Sequence, residues 1–169
     1  MKLTAHTDGA SRGNPGPAAF GFTIEKDGVV VEEGGEYIGE ATNNIAEYRA
    51  YVAALERMKE LGASEVVVYS DSELAVRQIN GVYRVRTAGL MPLFERVKDL
   101  LEDFRSWKVV HVTRDKNSLA DGLANKDRKS QSLKSSHCKF SRIASSAGTK
   151  KHIRSRPLLN HTMIVYDDT

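Results

Sequence analysis

Four carboxylates fall where a strand ends or a helix begins: Asp8, Glu47, Asp71 and Asp121. A single acidic side chain in such a place most often serves as a cap or favours the helix dipole. Four that converge repel one another, which raises their pKa values and destabilises the site until cations neutralise them. Oxygen-only donors of that charge favour hard divalent ions, Mg2+ first and Mn2+ as its substitute. Two such ions, about 3.5–4 Å apart, can hold an attacking water and a leaving 3′ oxygen on either side of a phosphate. That chemistry is in-line phosphodiester hydrolysis, and it needs no protein nucleophile.

The elements that must position these groups are legible in the patterning. Leu3, Ala5 and Thr7 alternate with Thr4, His6 and Asp8, the period of a strand that ends on Asp8. A stretch rich in Gly, Asn and Pro runs from Gly9 to Pro17. Strands over 18–25 and 29–38 then flank Asp27-Gly28, a type I′ hairpin signal. The spacing of Ile45, Tyr48, Val52 and Leu55 predicts a helix capped by Thr42, Asn43 or Asn44 and stopped at Gly62, with Glu47 in its first turn. Val66 to Tyr69 is apolar on both faces, as a strand covered on both sides would be, and runs into Ser70-Asp71. A short helix over 74–79, a helix over 90–104, a strand over 109–112 and a last helix follow. Asn117 and Ser118 can cap that last helix, which carries Asp121 in its first turn. The order is β-β-β-α-β-α-α-β-α, and α/β sheets bind ligands at the strand edges where these carboxylates fall.

The local sequences resemble a known family. Thr7-Asp8-Gly9-Ala10-Ser11 with Gly13-Asn14-Pro15-Gly16, Thr42-Asn43-Asn44-Ile45-Ala46-Glu47, Ser70-Asp71-Ser72, and Asn117 to Ala120 before Asp121-Gly122-Leu123-Ala124 are similar to the motifs of type 1 ribonuclease H, in order and spacing. The resemblance spans residues 2 to about 126. It implies an α/β ribonuclease H-like fold: a five-stranded mixed sheet, the first three strands antiparallel, flanked by helices. It also implies endonucleolytic cleavage of the RNA strand of an RNA/DNA hybrid with two Mg2+ ions, leaving 5′-phosphate and 3′-hydroxyl ends. Asp8, Glu47, Asp71 and Asp121 become the metal-binding catalytic carboxylates, and Gly9, Asn14, Thr42, Asn43 and Asn44 the substrate contacts. A 2′-hydroxyl contact from Glu47 would distinguish RNA from DNA.

Two cations compete for a role beside the phosphate. His111 lies ten residues before Asp121, at the offset of a histidine found in one branch of the family, but Trp107 to Thr113 reads as a strand. Arg114, seven residues before Asp121, resembles the arginine of a second branch and is preferred as the catalytic cation. Glu73 replaces a Gln found in some members. The segment from Gly81 to Arg86 leads directly to the next helix, so a basic insertion is not expected there, and Arg84 and Arg86 form only a small patch.

Composition separates two segments. Residues 1–127 hold 16 Lys and Arg against 20 Asp and Glu; residues 128–169 hold 9 against 2, together with eight of the fourteen serines. The division predicts a ribonuclease H domain over 1–127 and a basic Ser/Lys-rich tail over 128–169, weakly packed and able to attract phosphates in a salt-dependent way. The single cysteine, Cys138, excludes an intramolecular disulfide and a thiolate zinc site. With no apolar run of membrane-spanning length and no signal-peptide pattern, a cytoplasmic monomer without membrane contact is expected. The alternative reading is a catalytically impaired nucleic-acid-binding module of the same fold.

Overall fold

The computed structural model describes residues 1–114 and 117. Its elements are β1 (Lys2–Ser11), β2 (Gly16–Lys26), β3 (Val29–Ala41), α1 (Asn43–Glu60), β4 (Glu65–Ser70), α2 (Glu73–Ile79), α3 (Met91–Glu102) and β5 (Ser106–His111). They form one five-stranded sheet in the order β3-β2-β1-β4-β5. The first three strands are antiparallel, whereas β4 runs parallel to both β1 and β5. The expected final helix with Asp121, and the tail 128–169, lie outside the described residues.

The hairpin between β2 and β3 turns on Asp27 (φ 53°) and Gly28 (φ 77°), the paired positive angles that a type I′ turn requires. β1 is longer than the alternation suggests. Its parallel pairing with β4 stops at Thr7 and Ser70, but its antiparallel pairing with β2 continues from Asp8 opposite Gly21 to Ser11 opposite Ala18. Asp8 therefore sits where β1 loses one neighbour and keeps the other. β5 begins at Ser106, earlier than the expected 109, because its pairing with β4 starts at Glu65. β4 is buried on one face only: Val66, Val68 and Ser70 are buried, while Val67 and Tyr69 are half-buried, with Tyr69 stacked on His6.

The core lies between the sheet and α1. Tyr48, Tyr51, Leu55 and Met58 of the helix are fully buried against Leu3, Ala5, Phe22, Ile24 and Val68 of the sheet. At the far end of α1 the Arg57 guanidinium clamps the buried Glu32 of β3 through Nε at 2.7 Å and Nη2 at 3.0 Å. A buried carboxylate is tolerated because that fork satisfies it. α3 packs on α1 through Val97, Leu100 and Leu101. Among the described residues no helix is long and apolar enough to cross a membrane.

Candidate active site

Three strand-end and helix-start positions converge. Asp8 comes from β1 beside the end of the β1–β4 ladder, Asp71 follows β4 directly, and Glu47 lies on the fifth residue of α1. The helix starts where it does because Thr42 has extended backbone and its side-chain oxygen accepts from the Ile45 N–H at 3.3 Å. Of the three candidate caps, Thr42 is the one used.

The helix is also held unusually close to β1. A Cβ at Gly9 would sit 2.2 Å from the Glu47 nitrogen and 2.3 Å from the Ala46 carbonyl carbon. Glycine there lets the backbone of α1 approach the strand, which brings Glu47 down beside Asp8. Gly9 is buried in this contact, so packing against α1 is by itself a reason for glycine at this position.

Carboxylate oxygens of Asp8, Glu47 and Asp71 all lie within 4.8 Å of one another. Asp8 and Glu47 are buried, and the Asp71 side chain is 11% exposed. Glu47 Oε2 and Asp71 Oδ1 are buried without a hydrogen-bond partner. Burial is the largest cause that pushes the Glu47 carboxyl well above its ordinary range, followed by the negative charges of Asp8 and Asp71. The Gly9 N–H and the Arg114 cation pull it back only in part. An oxygen-only pocket with buried acceptors that nothing satisfies fits a hard divalent cation. Asp121, the expected fourth carboxylate, lies outside the described residues.

Arg114 joins this cluster, its Nε 3.2 Å from Asp71 Oδ2, although its side chain is 68% exposed. His111 is exposed at the end of β5. The histidine is a strand residue, as the strand reading of 107–113 expected, and the arginine faces a carboxylate. Glu73 is exposed and pairs with Arg77 at 2.6 Å. Arg84 and Arg86 are exposed.

Around the mouth of the site, the β1–β2 loop is braced against the start of α1. Asn43 Oδ1 accepts from the Ser11 N–H at 3.2 Å, and Asn14 Oδ1 accepts from the Asn43 N–H at 3.2 Å. Asn14, Asn43 and Asn44 are exposed, and Thr42 is half-buried by its capping role. Thus two of the expected contact residues also hold the loop in place.

Asn117, expected to cap a helix that lies outside the described residues, makes contacts that this expectation did not include. Its Nδ2 donates to the Thr7 carbonyl at 2.8 Å, and its own N–H to the Arg114 carbonyl at 2.9 Å. It is buried, and it ties the segment after β5 to the residue that precedes Asp8. Helix-capping chemistry at Asn117 is visible in sequence; a bond across 110 residues is not.

A mixed sheet that gathers acidic side chains at the carboxyl end of its central strands belongs to the class of ribonuclease H-like, metal-binding folds. Residues 6–127 match the family model described as reverse transcriptase-like, and the chain belongs to that family in its type 1 ribonuclease H branch. It is 44% identical over 125 residues to Ribonuclease HI of Halobacterium salinarum, covering 73% of this chain and 63% of that protein. The crystal structure of the Halobacterium RNase H1 superposes with a TM-score of 0.74 at 42% identity, over 76% of this chain and 98% of that one. The N-terminal RNase H domain of a Mycobacterium tuberculosis protein gives a TM-score of 0.76 at 38% identity, over 78% and 96% of the two chains. This chain spans only 35% of the full mycobacterial protein, which is described as bifunctional. LC11-RNase H1, solved in complex with an RNA/DNA hybrid, gives 0.73 at 39% identity, over 78% and 99%.

Proposed function

We propose that this protein is a metal-dependent endoribonuclease that hydrolyses the RNA strand of RNA/DNA hybrids, leaving 5′-phosphate and 3′-hydroxyl ends. The observation that carries the reading is the buried meeting of Asp8, Glu47 and Asp71 within 4.8 Å, with Glu47 Oε2 and Asp71 Oδ1 left without a hydrogen-bond partner. The hybrid-bound LC11 relative supports the choice of substrate. Asp8, Glu47 and Asp71, with Asp121 as a fourth ligand, would hold two Mg2+ ions, with Mn2+ as the substitute. Bound there, such ions lower the pKa of an attacking water and neutralise charge at the phosphate.

The chain's own residues do the rest. Burial and like charge favour a proton on Glu47 when no cation offsets them, and that proton must leave before the carboxylate can act as a ligand or accept from a 2′-hydroxyl. Asp71 holds Arg114 at the edge of the cluster, where the exposed guanidinium can meet a phosphate oxygen as charge develops. The braced loop and helix start present Asn14, Asn43 and Asn44, with Thr42 behind them, for contacts to the hybrid.

The test is a substrate panel of end-labelled RNA/DNA hybrid, DNA duplex and single-stranded RNA with Mg2+ or Mn2+. Cleavage of the hybrid's RNA strand alone, with 3′-hydroxyl products that a polymerase can extend, is expected. Equal cleavage of the DNA duplex would replace this reading with a general nuclease.

A further inference from the structure

A buried polar contact that the proposed chemistry does not use joins the two helices beside the carboxylates. Tyr48, the residue after Glu47 on α1, donates its hydroxyl to Gln78 Oε1 of α2 at 3.0 Å. Both side chains are buried. The Tyr48 ring packs on Tyr51, with centroids 6.1 Å apart, and meets Phe94 of α3 edge-on at 6.5 Å. The far end of α2 is anchored separately, where Asn80 Nδ2 donates to the Val109 carbonyl of β5 at 2.9 Å.

A buried hydrogen bond between two neutral side chains adds little net stability, because both groups give up bonds to water to make it. Apolar residues of the same shape would hold the helices together about as well. What the bond adds is geometry, since it weakens steeply outside a narrow range of distance and angle, whereas apolar contact is non-directional. The geometry is imposed at an informative place. On α1 the tether is one residue from Glu47. On α2 it belongs to the short helix capped by Ser72, whose Oγ accepts from the Ala75 N–H at 3.4 Å. Ser72 directly follows Asp71, and its N–H donates back to Ser70 Oγ at 3.2 Å, closing the turn that carries Asp71 out of β4. A shift of α2 against α1 is therefore passed to Asp71 and changes its distance from Glu47. Like charge opposes that closeness, since the two carboxylates have oxygens within 4.8 Å of each other.

We propose that Tyr48 and Gln78 are a pair of positioning residues, whose hydrogen bond fixes α2 against α1 and so holds Asp71 and Glu47 at the separation that a divalent cation needs. The inference rests on the metal-dependent reading above. It accounts for a neutral polar pair in a core where an apolar pair would serve stability equally, because ligands already held in place bind a cation more tightly than ligands that must be gathered.

The experiment titrates Mg2+ against the melting temperature and against hybrid cleavage, for the wild-type chain, Tyr48→Phe, Gln78→Met and the double variant. In EDTA each single variant should melt below the wild type, because each leaves one buried polar group without its partner. The double variant, which removes both groups, should melt close to the wild type. The Mg2+ midpoint should behave differently: it should rise about tenfold in all three variants, the low end of what the loss of an outer support costs a metal site. The rise in the double variant should be no larger than in either single one, because one bond is lost in each case. At saturating Mg2+ the KM for hybrid should be unchanged. A midpoint that stays at the wild-type value, or that follows the melting temperature across the three variants, would overturn the proposal, while wild-type cleavage left the enzyme assignment standing. A wild-type chain that neither responds to Mg2+ nor cleaves would overturn both.

Discussion

Replacing Glu47 by glutamine should make the metal-free protein more stable and abolish its response to divalent cations. Two unit charges 4.8 Å apart repel by about 3.5 kcal/mol at an effective dielectric near 20, and Glu47 has two such neighbours in Asp8 and Asp71. The full repulsion is not felt, because Glu47 takes up a proton instead and Arg114 offsets part of the charge. A net gain of about 1–2 kcal/mol is expected for the isosteric amide, or a rise of about 3–8 °C in Tm. The sign of the pH dependence follows from the raised pKa. Folded Glu47 holds a proton that the unfolded chain releases, so its contribution falls as pH rises from the unfolded value, about 4.3, through the folded one. The advantage of Glu47→Gln should therefore be absent well below pH 4 and grow toward neutrality. Thermal unfolding in EDTA at a series of pH values measures it. Adding Mg2+ should then stabilise the wild type, by about 2.7 kcal/mol at a hundred times Kd, and leave the variant unmoved. A variant that melts lower than wild type at neutral pH in EDTA, or that gains equally from Mg2+, would refute the argument from buried repulsion.

Other changes test the supports of the site. Gly9→Ala places a methyl group 2.2 Å from the Glu47 nitrogen, where only backbone can move; a loss of about 3 kcal/mol or more in urea unfolding is expected. Asn117→Ala leaves the Thr7 carbonyl without its donor and should cost about 1–3 kcal/mol, with a fall in kcat on hybrid larger than any change in KM. Arg57→Ala strands the buried Glu32 and should lower unfolding free energy by about 3 kcal/mol, recovered in large part by adding Glu32→Gln.

The antiparallel opening, the hairpin at Asp27-Gly28 and the helix carrying Glu47 were legible because each has a local cause: alternation, positive φ, a cap. The carboxylates could be picked out because strand ends and helix starts are where ligands bind, and three of them do meet. What could not be read was non-local. The extension of β1 past Asp8 depends on β2 continuing opposite it, and the early start of β5 depends on β4. Gly9 reads as a place for close approach, but only the packed fold shows that α1 is what approaches. The link from Asn117 to Thr7 joins residues far apart in the chain, and no spacing rule encodes it.

The most direct test of the central claim compares the wild-type chain with Asp8→Asn for binding and for cleavage of one RNA/DNA hybrid in Mg2+. The account predicts that both bind the hybrid with similar affinity and that only the wild type cuts its RNA strand. Tight binding by both with cleavage by neither, in Mg2+ or Mn2+, would contradict it and leave a nucleic-acid-binding module on the same fold.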